Sequence, residues 1–167
     1  LYPTAGTTLG TWLHHSLMSL AKDLSELGVN LVLKSGPAAD VIFDLANNVG
    51  ADHVVWNRRY GEPEQRVDAT TKSDFEGEAK SYGGIIMHEP INVRTGSGNP
   101  YKVYTPFWKK FCEMGLPRDA RPAPQELNGF HGKIDSDNLD DWGLLPTKPD
   151  WAQGWLDIWQ PGEAAAQ

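Results

Sequence analysis

Two short stretches hold the residues best equipped for chemistry. The first, HVVWNRRYGEPEQRVD at 53–68, sets Asn57, Arg58, Arg59 and Tyr60 after a short apolar run and follows them with Glu64 and Asp68. A guanidinium can stack on a flat ring, a phenol can pack beside it, and a carboxylate can accept its N–H groups. On that reading these six residues form a cradle for a planar, polar chromophore, with Glu64 accepting N–H bonds from a pterin-like ring. The plainer reading is a polar loop closed by an Arg–carboxylate bridge, with Glu64 and Asp68 one helical turn apart on a solvated face. Asp40 and Asp44 share that spacing and that plain reading.

The second stretch is TGSGNPYKVYTPFWKK at 95–110. Tyr101, Tyr104, Phe107 and Trp108 offer flat surfaces, and Lys102, Lys109 and Lys110 offer positive charge in a chain of net charge −7. This is either an ordinary helix start, with Pro106 near its first turn, or a docking surface for a planar ligand or nucleic acid.

Other chemistries lack their signatures. The five histidines show no HExxH spacing, and the adjacent His14 and His15 point in different directions on a helix. No GxSxG elbow, Walker A loop or GxGxxG turn is present, since Gly96 and Gly98 lack a third glycine. A single cysteine, Cys112, excludes an internal disulfide and a Cys-rich zinc site. Its helical spacing from Trp108 predicts a buried structural thiol. The expectation is no catalytic constellation and no metal.

The elements that must position these residues follow from periodicity. Leu13, Leu17, Leu20, Leu24 and Leu27 form the apolar stripe of a helix that Gly28 can stop. Val29–Leu33 reads as a buried strand, Val41, Ile42, Leu45 and Val49 as a second helix, and His53–Trp56 as the next strand. Strand–helix–strand with short connections predicts a right-handed crossover and a parallel sheet. Ligands gather at the carboxyl ends of such strands, where Asn57 to Tyr60 lie. Glu64–Lys80 reads as a polar helix with Val67, Thr71, Phe75 and Ala79 inward, and Gly84–Met87 as a third strand. Phe107–Met114 reads as a short helix, Leu116–Pro149 as an extended connector, and Asp150–Trp159 as a short helix.

A length of 167 residues suits a domain with a real core, and 40% hydrophobic content with seven tryptophans argues for a folded chain. The acidic balance argues against a freestanding nucleic-acid binder. No run reaches the length of a membrane span and no signal peptide is visible, so a soluble, cytoplasmic protein is expected. Leu1 at the start and GEAAAQ at the end read as the edges of an excised piece.

Taken in order, WLHHSLMSLAKDLSELGVNLVLKSG, Val55-Trp56-Asn57-Arg58-Arg59-Tyr60, the Tyr101–Trp108 run and Pro161-Gly162-Glu163 resemble the N-terminal domain of the DNA photolyase/cryptochrome family across essentially the whole chain. The resemblance implies an α/β fold with a doubly wound, Rossmann-like parallel sheet, here lacking its first strand and helix. It implies an antenna domain over residues 1–115 and, over 116–167, a connector toward a C-terminal FAD-binding helical domain. The family's FAD, electron-transfer tryptophans and lesion site belong to that other domain. The parent would be a deoxyribodipyrimidine photolyase, repairing UV-induced pyrimidine dimers with light. Here the cofactor would be an antenna chromophore, a reduced folate or a deazaflavin. Folate binders commonly carry an Asn-Glu pair where this chain has Pro63-Glu64, so the glutamate matches and the asparagine does not. Damaged DNA would meet Lys102, Lys109 or Lys110, and Trp142, Trp151, Trp155 and Trp159 would face the helical domain. Without the sheet's first strand, the isolated segment is expected to be marginally stable. The alternatives are a cryptochrome-type blue-light receptor, a standalone nucleotide-binding α/β module, and a purely structural interaction domain.

Overall fold

The computed structural model describes residues 6–115 and 122–166. The chain divides into two compact units, Ala38–Pro122 and the combination of Leu1–Pro37 with Ala123–Gln167.

In the unit made from both ends, α1 spans Thr8–Glu26. Thr7 caps it by accepting from the Gly10 N–H at 3.1 Å. Gly28, at φ 85°, supplies the left-handed residue that ends it. The leucine stripe at 13, 17, 24 and 27 is half-buried, and the most deeply buried face carries Gly10, Thr11 and His14. Val29–Leu33 does not form a strand. Its hydrogen-bonding positions are taken by loop groups instead: the Leu33 N–H donates to Ser136 Oγ at 2.9 Å, and the Leu33 carbonyl accepts from the Asp137 N–H at 2.7 Å. Lys34 Nζ adds an ion pair to Asp135 at 2.6 Å. The short helix expected near the carboxyl end shrinks to one 3₁₀ turn, Trp155–Asp157. Of the connector expected over Leu116–Pro149, residues 116–121 lie outside the described ones.

The other unit carries a βαβ crossover. Helix α2, Ala38–Val49, precedes β1, His53–Asn57; α3, Glu62–Asp74, leads to β2, Glu78–Tyr82; α4 follows at Tyr104–Met114. The two strands are parallel, with His53 opposite Glu78, Trp56 opposite Ser81 and Asn57 opposite Tyr82. The parallel α/β arrangement is as expected, with a sheet of two strands among the described residues. Helix α3 opens with Pro63 in its first turn and Glu62 and Glu64 beside its positive end, and it carries Lys72 in its last turn. Its buried face holds Asp68 and Thr71. Phe43 on α2 stacks on Phe75 at 6.0 Å, closing the crossover at its base.

Three expectations are corrected in this unit. The helix expected over Glu64–Lys80 stops at Asp74, and its tail is the strand β2. The break comes at Gly77, which passes so close to the chain leading into β1 that a Cβ there would stand 2.1 Å from the Asp52 carbonyl oxygen. Gly84–Met87 is not a strand; Ile85, Ile86 and Met87 lie exposed in a bend. Cys112 is exposed rather than buried, because α4 buries none of its residues. The helix instead stacks its own aromatics: Tyr104 on Trp108 at 6.2 Å and Trp108 on Phe111 at 5.7 Å, both with nearly parallel ring planes. His88 meets Phe111 edge-on at 4.7 Å. Among the described residues no helix is long and apolar enough to cross a membrane.

Candidate functional site

The chain leaving β1 turns over the sheet edge and delivers two arginines to two carboxylates. Arg58 is fixed by its own backbone, whose N–H donates to the Tyr82 carbonyl at 2.8 Å and so extends the ladder by one residue. Its guanidinium reaches Glu89 Oε2 at 2.9 Å and the Ser81 carbonyl at 3.2 Å. Arg59 turns the other way, onto α3, and places Nε and Nη2 at 3.1 and 2.5 Å from Asp68 Oδ1. Tyr60 donates its hydroxyl to Glu89 Oε1 at 2.8 Å, so Glu89 serves Arg58 and Tyr60 together.

These contacts set the electrostatics. Burial acts most strongly on Asp68 and opposes its ionisation. Hydrogen bonds from Arg59 and the influence of Trp56, with the Arg59 charge, outweigh it and hold the carboxyl below its usual range. The Trp56 indole N–H is nevertheless buried with no partner at hydrogen-bonding distance among the described residues. The Tyr60 hydrogen bond, against burial, and then Arg58 hold Glu89 low, while burial and the bond to Glu89 raise the Tyr60 phenol.

Arg58, Arg59, Tyr60 and Asp68 line one open cleft of about 470 Å³ between α3, the end of β2 and the segment around Glu89. Gln65, Ala69, Lys72, Ser81, Glu89, Pro90, Ile91 and Arg94 complete its wall. Lys72 sits over the Trp56 ring at 5.6 Å and donates to Ser81 Oγ at 2.7 Å. Asn57 and Glu64 do not line this cleft. Asn57 lies against Gly84, where a Cβ would stand 2.6 Å from its Oδ1. The Glu64 carboxylate folds back over Gly61 at the start of α3, where a Cβ would meet it at 2.1 Å, in the manner of a third-position glutamate covering its own helix end. Lys102, Lys109 and Lys110 belong to α4 and the residues just before it, away from the cleft wall.

The cleft can accept a flat ring against the arginine faces, since each guanidinium edge is already committed to a carboxylate. It can also accept negative charge. Sequence reasoning missed Glu89, Lys72, Ser81 and Arg94. The usable signal for Glu89 was arithmetic: two adjacent arginines need two counter-charges, and one had to come from beyond α3.

A second cleft of about 390 Å³ opens at the opposite, amino end of the strands, lined by Phe43, Asn47, Asp52, Asp74, Phe75 and Glu76 among others. Beside it, His53 bonds Asp52 at 2.7 Å and Glu78 at 3.1 Å. Among the described residues no cluster of His, Cys, Asp and Glu could hold a metal ion.

A DNA photolyase family model matches residues 3–126. A deoxyribodipyrimidine photo-lyase of Agrobacterium fabrum is 42% identical over 158 residues, covering 93% of this chain and 33% of that protein. A deoxyribodipyrimidine photo-lyase of Halobacterium salinarum is 33% identical over 116 residues, 67% of this chain and 24% of the relative. Cryptochrome-2 of Arabidopsis thaliana is 29% identical over 120 residues, 70% of this chain and 20% of its own length. In structure, the chain superimposes on a bacterial class III photolyase from Agrobacterium tumefaciens with a TM-score of 0.85 at 42% identity, covering 98% of this chain and 34% of that one. The chain thus spans about a third or less of the length of these relatives.

Proposed function

The chain belongs to the DNA photolyase family, and from that premise we propose that it serves as the N-terminal α/β domain of a light-driven deoxyribodipyrimidine photolyase. The observation that carries this reading is 42% identity to a protein of that name, sustained across 93% of the chain. Residues 1–115 act as the antenna-supporting domain, and residues 116–167 lead toward a helical domain that binds FAD and takes the lesion. This domain contributes no catalytic residue.

Within it, the β1 edge holds the antenna chromophore, a reduced folate or a deazaflavin. Arg58 and Arg59 present guanidinium faces to the ring, Tyr60 packs beside it, and Asp68 holds Arg59 in place. Asn57 and Glu64 border this edge from the last residue of β1 and the first turn of α3. When bound, the chromophore would supply light absorption and energy transfer to the flavin. Lys102, Lys109 and Lys110 give the domain's edge of the DNA surface. Trp151, Trp155 and Trp159 give an apolar face for the helical domain, since Trp151 and Trp159 are exposed here.

The test is light-dependent repair. The full-length protein carrying this domain should restore cyclobutane-dimer-containing oligonucleotides under blue light and not in the dark. A full-length protein that binds flavin and responds to light without repairing any dimer would overturn the photolyase reading in favour of a cryptochrome, to which the chain is also related.

A further inference from the structure

Ser81 lies on the inward face of β2 and is only 7% exposed. Its hydroxyl oxygen stands 2.7 Å from Lys72 Nζ and 3.5 Å from Arg58 Nε. Both neighbours donate hydrogen bonds and neither can accept one. Among the described residues the Ser81 O–H therefore has no acceptor, although buried hydroxyls are normally satisfied in both senses. It lines the cleft described above.

Charge points the same way. Arg58 is neutralised by Glu89 and Arg59 by Asp68. Lys72 and Arg94 remain, and neither pairs with a carboxylate among the described residues. Lys72 is held in place by the Trp56 ring and the Ser81 oxygen, which leaves two ammonium hydrogens for another partner. Among the described residues the planar fork of Arg94 has no side-chain partner, and its backbone bridges to Pro100. So a chain of net charge −7 keeps two uncompensated cations and one unmet hydroxyl donor on one concave wall.

We propose that this cleft binds a phosphate dianion, free or as the monoester end of a small molecule, with Ser81 donating its hydroxyl and Lys72 and Arg94 supplying the two balancing charges. A neutral ligand would leave both charges uncompensated. A single carboxylate would balance one charge and offer only two acceptor oxygens to donors spread over three elements. A tetrahedral dianion balances both and presents acceptors in several directions. The inference goes beyond the antenna reading and does not depend on it.

The test is a ³¹P NMR titration of the 167-residue chain with inorganic phosphate and with glycerol 3-phosphate, at constant ionic strength in chloride. Saturable one-to-one binding is expected. Arg94→Gln should weaken it about tenfold or more, the loss of a charge-assisted hydrogen bond. Ser81→Ala should weaken it about fivefold, and Lys22→Gln, on α1 and not among the residues lining the cleft, should leave it unchanged. Tighter binding of one probe identifies the source, free phosphate or an organic monoester. Absence of saturation, equal affinity in Arg94→Gln, or retention of an oligonucleotide without either probe overturns the proposal. Circular dichroism checks each fold; should Ser81→Ala unfold, Arg94→Gln decides alone, since Arg94 makes no ion pair among the described residues. Phosphate binding without chromophore binding would sink the antenna reading and leave this one standing, and the converse would do the reverse.

Discussion

Arg59 grips Asp68 through two donors on a single oxygen, at 3.1 and 2.5 Å, with the aspartate only 7% exposed. The pair ties the loop leaving β1 to the middle of α3, so the loop's direction over the sheet edge depends on it. Its two halves are unequal, because the Arg59 side chain is about 39% exposed and can be rehydrated while the carboxylate cannot.

Arg59→Ala should therefore cost more than Asp68→Ala. Removing the arginine strands a buried carboxylate, a loss of about 2–3 kcal/mol after allowing for partial exposure of the pair. Removing the aspartate frees an arginine that water can reach, a loss of about 1 kcal/mol. Urea denaturation of both variants gives the comparison, and equal costs would show that the pair does not fix the loop.

Two histidines should give stability opposite pH dependences. The hydrogen bond to Asp52, then its charge, raise the His53 pKa above the ordinary imidazole value. The folded state then holds the proton more tightly, so this contribution is complete below about pH 6.5 and fades as pH rises through the raised value. For His15, burial first and His14 second lower the pKa, so its contribution is present above the ordinary imidazole range and is lost as pH falls. Denaturation midpoints between about pH 5 and 9 should lose their alkaline decline in His53→Gln and keep their acid decline. An unchanged alkaline limb in that variant would contradict the assignment.

Gly77→Ala should be among the most damaging small substitutions. Its Cβ would stand 2.1 Å from the Asp52 carbonyl oxygen, a backbone atom that also accepts the Glu78 N–H at 2.8 Å. Neither partner can move without opening the first rung of the parallel pair, and overpacking of this kind costs about 1–3 kcal/mol. Slowed exchange at the Glu78 amide in the variant, in place of faster exchange, would refute this.

Trp159→Ala should leave the chain's own stability nearly unchanged, because that ring is 59% exposed. In the full-length protein the same change should weaken docking of the helical domain, read as earlier proteolytic separation of the two. No change in separation when Trp155 is also replaced would remove these rings from the interface.

The strongly periodic parts of the chain were legible in its sequence, and the parts fixed by tertiary contact were not. The leucines of α1 declared a helix because their spacing is helical, and His53–Trp56 declared a strand because it is short, apolar and bounded by glycine and polar residues. β2 was hidden, since EAKSY is polar and only Ala79 and Ser81 turn inward. Its strand identity comes from pairing with β1 and from the space that Gly77 leaves. Conversely Ile85, Ile86 and Met87 had strand composition and lie exposed, because composition does not provide a partner. At the site, Arg58, Arg59, Tyr60 and Asp68 could be read from proximity in sequence. Glu89, 29 residues beyond Tyr60, could not, because only the crossover brings it there.

The most direct measurement is an absorption and fluorescence titration of this chain with a reduced folate and with a deazaflavin, beside Arg59→Ala and Glu64→Ala. Antenna binding at the β1 edge predicts saturable binding of one of the two, with a shifted absorption band, weakened about tenfold or more in at least one variant by loss of a charged contact. No saturable binding of either chromophore to the folded chain, or binding unaffected by both substitutions, would contradict it.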